Sequence, residues 1–257
     1  MIYIHNINPI LISLGWIHIY YYSFAYILGL FLIPYYVNKI YLKDKLLAES
    51  FSNYIAFSTI ICGRVGYVLF YNFQYYLKNP LLALKIWEGG MSFHGGLIGF
   101  SIGVYLFCKK YNQNFLSIVD KSTIPATLCL FIGRIMNFIN GELYGNATNG
   151  KWGVVFPSDI LQIPRHPSQL YEAFAEGLLL FVILFFINKK TYFANKSGVL
   201  SGIFIFLYGL FRFFIEFFRK PDEQIGYFFM YITLGQIFCI IMMIFGFTLI
   251  LKILKKT

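Results

Sequence analysis

The stretch Gly133-Arg134-Ile135-Met136-Asn137-Phe138-Ile139-Asn140-Gly141-Glu142-Leu143-Tyr144-Gly145 sets an arginine, two asparagines and a glutamate at the end of an apolar run. An arginine near the middle of a bilayer costs on the order of 3 kcal/mol even on lenient scales. A chain that keeps one there gives it an anion, a water-filled cavity or a partner side chain. Arg134 and Asn137 are three apart and share a helical face, and Asn140-Gly141 reads as the helix end. The structural alternative is a self-neutralising pair between Arg134 and Glu142. A pair alone does not require two further amides and three glycines.

Three other segments carry similar chemistry. In Glu88-Gly89-Gly90-Met91-Ser92-Phe93-His94-Gly95-Gly96-Leu97, a histidine flanked by glycine pairs opens an apolar run. Backbone or lipid can approach closely there, and a histidine titrating near neutrality can accept a proton. A hydrogen-bonded core histidine is the bland alternative. In Arg212-Phe213-Phe214-Ile215-Glu216-Phe217-Phe218-Arg219-Lys220-Pro221-Asp222, Arg212 and Glu216 are four apart, as an intrahelical ion pair would be. Arginine before glutamate is the weaker orientation of such a pair, however. In Arg165-His166-Pro167-Ser168-Gln169-Leu170-Tyr171-Glu172, Pro167 and Ser168 look like a helix start, which leaves Glu172 as the site candidate. Arg64 adds a third cation inside an apolar segment, while His5 and His18 have no polar company in sequence.

Arg64, Arg134 and Arg212 thus lie in apolar segments with acceptors too few to neutralise them. A phosphate is the simplest missing anion, because the guanidinium fork matches its oxygens. A phospholipid headgroup inside a polar cavity would satisfy that chemistry.

The elements that must hold these residues are membrane spans. The chain has 257 residues, 58% hydrophobic and only 12% charged, against about 25% charged in soluble domains. Apolar windows of span length fall at about 17–37, 51–71, 91–108, 119–140, 169–187, 198–218 and 227–252. These windows predict an all-α polytopic membrane protein of about seven transmembrane helices. Residues 1–257 read as a single integral membrane domain with an extracytoplasmic loop at about 141–168. Residues 73–90 suit a short interfacial helix better than a span.

The net charge of +10 could suggest nucleic acid, but the basic residues are scattered at the edges of apolar runs. The positive-inside rule explains them better. With the N-terminus outside and the C-terminus cytoplasmic, twelve lysines fall inside: Lys39, Lys43, Lys45, Lys109, Lys110, Lys121, Lys189, Lys190, Lys196, Lys252, Lys255 and Lys256. Only Lys78, Lys85, Lys151, Arg165, Arg219 and Lys220 fall outside. Cys62, Cys108, Cys129 and Cys239 show no ligand or CxxC spacing and read as small buried hydrophobes. Histidines and carboxylates are too dispersed to suggest a metal motif. No metal or cofactor is expected.

Taken in order, these segments resemble the bacterial prolipoprotein diacylglyceryl transferase family. Gly133, Arg134, Asn137-Phe138-Ile139-Asn140, Glu142 and Gly145 match its signature. Further matches are His94-Gly95-Gly96-Leu97, the segment 165–172, and the Phe-Arg…Glu-Phe-Phe-Arg…Pro-Asp pattern over 211–222. The resemblance covers about residues 10–245. It implies a bacterial inner-membrane enzyme that moves the diacylglyceryl group of phosphatidylglycerol onto the lipobox cysteine thiol at a prolipoprotein signal peptide, releasing glycerol phosphate. It also implies His94 as the base, with a glutamate such as Glu216 as the alternative. Arg134 and Arg212 would stabilise the departing phosphate, and Asn137 would orient the headgroup. Glu142, Glu172 and Glu216 would hold the arginines or relay the proton. The family's first-span tyrosine falls on Tyr22, with Tyr20, Tyr21 and Tyr26 as competitors.

The rival from another class is a small transporter or lipid channel, in which polar residues line a pathway and inverted repeats are common. The two halves show no convincing repeat, and the polar residues gather toward the outer half. A membrane scaffold would not concentrate arginines in this way.

Overall fold

A computed structural model describes the chain except residues 15–16, 71–72, 87–89, 190–192, 194, 221–226, 229–231 and 256–257. The side chains of residues 14, 17, 18, 22, 23, 26, 93, 94, 227 and 228 also lie outside the described part. That exclusion covers the side chains of Tyr22 and His94.

The fold is mostly helical, and a helix carries the greater part of each of the seven apolar windows. In chain order these are α1 (Tyr21–Val37), α2 (Lys45–Phe70), α4 (Phe93–Tyr111), α5 (Phe115–Ile139), the continuous helix Ser168–Lys189, α8 (Val199–Ile215) and α9 (Leu234–Lys255). Lys45–Phe70, Phe115–Ile139, Ser168–Lys189 and Leu234–Lys255 are long and apolar enough to cross a membrane. The chain therefore has the make-up of a polytopic membrane protein. Outward-facing side chains such as Phe31, Phe70, Leu46 and Ile244 are well exposed, as lipid-facing positions would be. Residues 73–84 form the short helix α3 (Phe73–Lys78) and a 3₁₀ turn, Pro80–Leu84.

The purely helical expectation needs one correction. Among the described residues, three two-stranded ribbons accompany the helices: β1 (Ile2–Ile4) with β4 (Gly153–Val155), β2 (Ile10–Leu14) with β3 (Ile17–Tyr20), and β5 (Tyr227–Phe228) with β6 (Ile232–Thr233). β3 takes up the start of the first apolar window, so α1 begins at Tyr21 instead. Alternating β-branched residues read as apolar in either geometry, so hydropathy could not separate strand from helix there.

Two compact units make up the molecule, residues 30–121 and residues 1–29 with 122–257. In the first, α2 packs on α4 around Val37, Phe51, Ile55, Val104, Phe107 and Ile118. Glycines on α4 let the backbones meet: a Cβ on Gly103 would stand 2.7 Å from the Tyr54 carbonyl oxygen. Small residues serve this purpose in membranes, where helices associate by close packing. Arg64 is buried in this unit. It donates to the carbonyls of Ala83, Leu82 and Gly90 at 2.8, 2.9 and 3.2 Å, under the rings of Tyr67 and Tyr76. Backbone carbonyls from the segment 82–90 thus engage this arginine.

In the second unit, α8 packs on α9 through Gly202, Gly209 and Gly246. The helix Ser168–Lys189 is composite: α6 (Ser168–Glu172), a π-helical stretch Ala173–Leu179, and α7 (Leu180–Lys189). Glu172, Glu176, Leu180 and Leu184 are all buried at spacings of four. Steps of four over-rotate an α-helix by about 40° each, and the wider π turn takes up that drift. One stripe of the helix therefore stays buried along its length.

Candidate active site

The site lies in the unit formed by residues 1–29 and 122–257. α5 brings in Arg134 and, one turn on, Asn137. Gly141, at φ +65°, ends the helix in the left-handed conformation that glycine adopts without penalty. The reversal carries Glu142 back over the last turn. Its Oε1 accepts from Asn137 Nδ2 at 2.8 Å and from Asn140 Nδ2 at 3.2 Å, and Gln169 Nε2 donates to its carbonyl. Arg134 does not pair with Glu142.

Arg134 instead faces the composite helix. Its Nη1 is 2.8 Å from Glu172 Oε2, and its Nη2 is 3.4 Å from Glu176 Oε2. From α8, Arg212 Nη1 stands 3.0 Å from Glu172 Oε1 and 3.6 Å from Glu176 Oε1, while Nη2 is 3.1 Å from Glu216 Oε2. Arg219, just past α8, reaches Glu172 Oε1 at 3.4 Å. Glu172 is thus the hub of three guanidiniums. Thr233 Oγ1 donates to Glu216 at 3.2 Å. Thr233 also caps α9 reciprocally with Gln236, a capping box that fixes the start of α9 beside Glu216.

The cluster holds Arg134, Arg212 and Arg219 against Glu172, Glu176 and Glu216, so its formal charges balance. That corrects the expectation of arginines short of acceptors at Arg134 and Arg212: Glu176 adds a carboxylate to both, and Arg219 balances its charge. The glutamates are 0–8% exposed and the arginines 15–17%. Carboxylates are buried behind guanidiniums that keep a part of their surface accessible. Arg134 Nε is buried with no hydrogen-bond partner among the described residues. Arginine carries five N–H donors, and at Arg134 the glutamates engage the terminal nitrogens.

Close approach explains how these helices meet. A Cβ on Gly177 would stand 2.5 Å from Phe131 Cα, so only glycine lets the π stretch lie directly on α5 and bring Glu176 against Arg134. Gly145 is likewise a packing glycine, because its amide donates to His166 O at 2.8 Å where the chain also passes close to Phe218.

Residues 141–168 form an ordered cap over this end. Arg165 Nε and Nη2 donate to the two carboxylate oxygens of Asp159, each at 2.8 Å. Tyr144 stacks on Phe156 and lies against the Arg165 guanidinium. The Arg165 hydrogen bonds hold the Asp159 carboxyl below its ordinary range, and the same pair raises Arg165. Burial lowers His166, whose Nδ1 lies 3.2 Å from the Tyr171 hydroxyl.

The structure brings together four of the sequence candidates, Arg134, Glu172, Arg212 and Glu216, and ties Asn137 to Glu142 beside them. The roles expected of His94 and Tyr22 rest on side chains outside the described residues. Sequence reasoning passed over Glu176, Arg219, His5 and the Asp159–Arg165 pair. Glu176 had a signal: it lies four residues after Glu172 in an apolar helix and directly before Gly177.

The family described as prolipoprotein diacylglyceryl transferase matches residues 9–252. The chain belongs to this family. Among similar relatives is the phosphatidylglycerol–prolipoprotein diacylglyceryl transferase of Rickettsia conorii, 50% identical over 246 residues, covering 94% of this chain and 95% of the relative. The enzyme of that name from Rickettsia africae is also 50% identical with the same coverage. The one from Rickettsia bellii is 47% identical over 252 residues, covering 96% and 95%. In this prolipoprotein diacylglyceryl transferase family member, the Gly-Arg…Asn-Phe-Ile-Asn…Glu segment is the stretch that ends α5 and supplies Arg134 to the cluster.

Proposed function

We propose that this chain transfers the diacylglyceryl group of phosphatidylglycerol to the lipobox cysteine thiol of prolipoproteins, the first step of lipoprotein maturation. The observation that carries the reading is the balanced Arg134–Arg212–Arg219 cluster, with partly accessible guanidiniums backed by buried glutamates. The thiol, with an ordinary pKa near 8.5, gives up its proton to a base. Its sulfur forms the C–S bond to the glycerol carbon that bears the phosphate, and the C–O bond breaks. The electron pair leaves with glycerol phosphate, which finally takes the proton.

The negative charge on the leaving phosphate grows along that path. Guanidinium donors fixed in advance in a water-poor site stabilise such charge without reorganising, and this is the role of Arg134 and Arg212. Glu172, Glu176 and Glu216 hold the arginines in position; as carboxylates already engaged by guanidiniums, they are poorly placed to accept the thiol proton. That favours His94 as the base over Glu216. Asn137, steadied by Glu142, orients the headgroup, Gly145 keeps the cap seated near it, and Tyr22 completes the substrate contacts. The chain acts in the bacterial inner membrane through seven spans, with the N-terminus and residues 141–168 outside.

The deciding assay incubates detergent-solubilised protein with phosphatidylglycerol and a lipobox peptide and seeks the diacylglyceryl adduct by mass spectrometry. Absence of the adduct with folded protein overturns the reading. Full activity of His94→Gln removes His94 as base. Accessibility of single cysteines placed in each connection tests the seven-span topology.

A further inference from the structure

The end of α5 leaves carbonyls without partners inside the helix, and one of them is answered from the far end of the chain. His5 Nε2 lies 2.7 Å from the carbonyl oxygen of Phe138, which also accepts the Gly141 amide at 2.9 Å. A ring nitrogen so close to a carbonyl donates its hydrogen. His5 is only 3% exposed. Its ring packs against Phe138 and Phe156, with centroids 5.4 Å away in both cases. Gly141, at φ +65°, lies alongside the ring at van der Waals distance. The His5 amide donates to Val155 O at 2.9 Å, which continues the parallel pairing of β1 with β4. One residue thus joins the N-terminal strand, the cap and the last turn of α5. Phe138 directly follows Asn137 and precedes Asn140, the two residues whose amides converge on Glu142.

We propose that His5 is a positioning residue for the headgroup-facing turn 137–142, acting through the Phe138 carbonyl. This rests on the transferase reading above. The imidazole N–H fixes the tilt of the 138–139 peptide, and with it the directions of the Asn137 and Asn140 amides. Without the donor, the turn retains its packing but loses its orientation.

The test compares His5→Phe, which fills the aromatic box without a donor, with His5→Gln, whose amide reaches where Nε2 does. Loss of one buried hydrogen bond predicts about a five- to tenfold rise in KM for phosphatidylglycerol with His5→Phe. His5→Gln restores most of it, and kcat and the KM for the lipobox peptide change little. Ile55→Val, in the other unit, lowers the melting temperature and leaves the phosphatidylglycerol KM unchanged, which separates positioning from mere destabilisation. Should His5→Phe not fold, His5→Met against His5→Gln makes the same contrast. A donor-free variant with the wild-type KM overturns the proposal. A wild-type protein inactive in the parallel assay overturns the transferase reading instead.

Discussion

Charge balance in the arginine–glutamate cluster can be tested by removing its members one at a time and then in pairs. Glu172 sits 2.8, 3.0 and 3.4 Å from three different guanidiniums. At an effective dielectric of about 20, each contact near 3 Å represents about 5 kcal/mol of gross attraction. Most of that is offset by desolvation, but Glu172→Gln leaves three arginines facing two carboxylates. Breaking a buried pair by removing one partner costs about 3–5 kcal/mol. At about 2–4 °C per kcal/mol for a chain of this size, the melting temperature should fall by roughly 6–20 °C. Glu176→Gln, with contacts at 3.4 and 3.6 Å, should cost less, about 1–3 kcal/mol. The double variant Arg134→Met with Glu172→Met leaves Arg212 and Arg219 against Glu176 and Glu216, a balanced set. It should recover much of the stability lost by either single change, since apolar replacement of a whole buried pair is often near neutral. Activity should not return, because the donors of Arg134 are gone. Thermal unfolding in detergent, read beside the lipidation assay, measures both. If Glu172→Gln melts like the wild type, or the double variant loses the full sum of the single losses, charge balance is not what holds the cluster.

Arg134→Lys preserves the charge but cannot reach Glu172 and Glu176 from two nitrogens; kcat/KM for phosphatidylglycerol should drop about a hundredfold, measured by adduct formation. Gly177→Ala drives a methyl group into Phe131 and should destabilise by about 1–3 kcal/mol while lowering activity through displacement of Glu176, read by melting temperature and turnover. In the cap, both shifted acids stabilise the fold only while deprotonated, since their folded pKa values lie below the unfolded ones. Melting temperature should therefore decline as pH falls below about 6.5, from His166, and again below about 3.9, from Asp159. His166→Gln should abolish the first decline and Asp159→Asn the second in a pH series of melting curves.

Hydropathy revealed the helices, because a membrane demands long apolar runs whatever the tertiary arrangement. It could not separate β3 from α1, where the same residues suit either backbone. Arg134, Arg212, Glu172 and Glu216 were visible as polar residues at a cost in apolar segments, but their pairing was not. Spacing invited Arg134–Glu142 and Arg212–Glu216; the structure keeps the second and replaces the first with Glu172 and Glu176 across helices. Glu176 lies four residues after Glu172, but a glutamate in an apolar helix shows its partners only when the helices are assembled. His5 and Phe138, 133 residues apart, leave no local pattern at all.

The cluster draws its charges from three stretches of chain in alternating sign, and that order matters as the protein is made. α5 is made first and carries Arg134 alone, one positive charge. The helix Ser168–Lys189 follows with Glu172 and Glu176, and the running total becomes one negative. Arg212, Glu216 and Arg219 arrive last and bring it to zero. With α5, the composite helix and α8 each counted as a complete delivery, the nascent cluster never holds more than one uncompensated charge. Synthesis from the ribosome thus presents each polar helix after α5 to a partner already made.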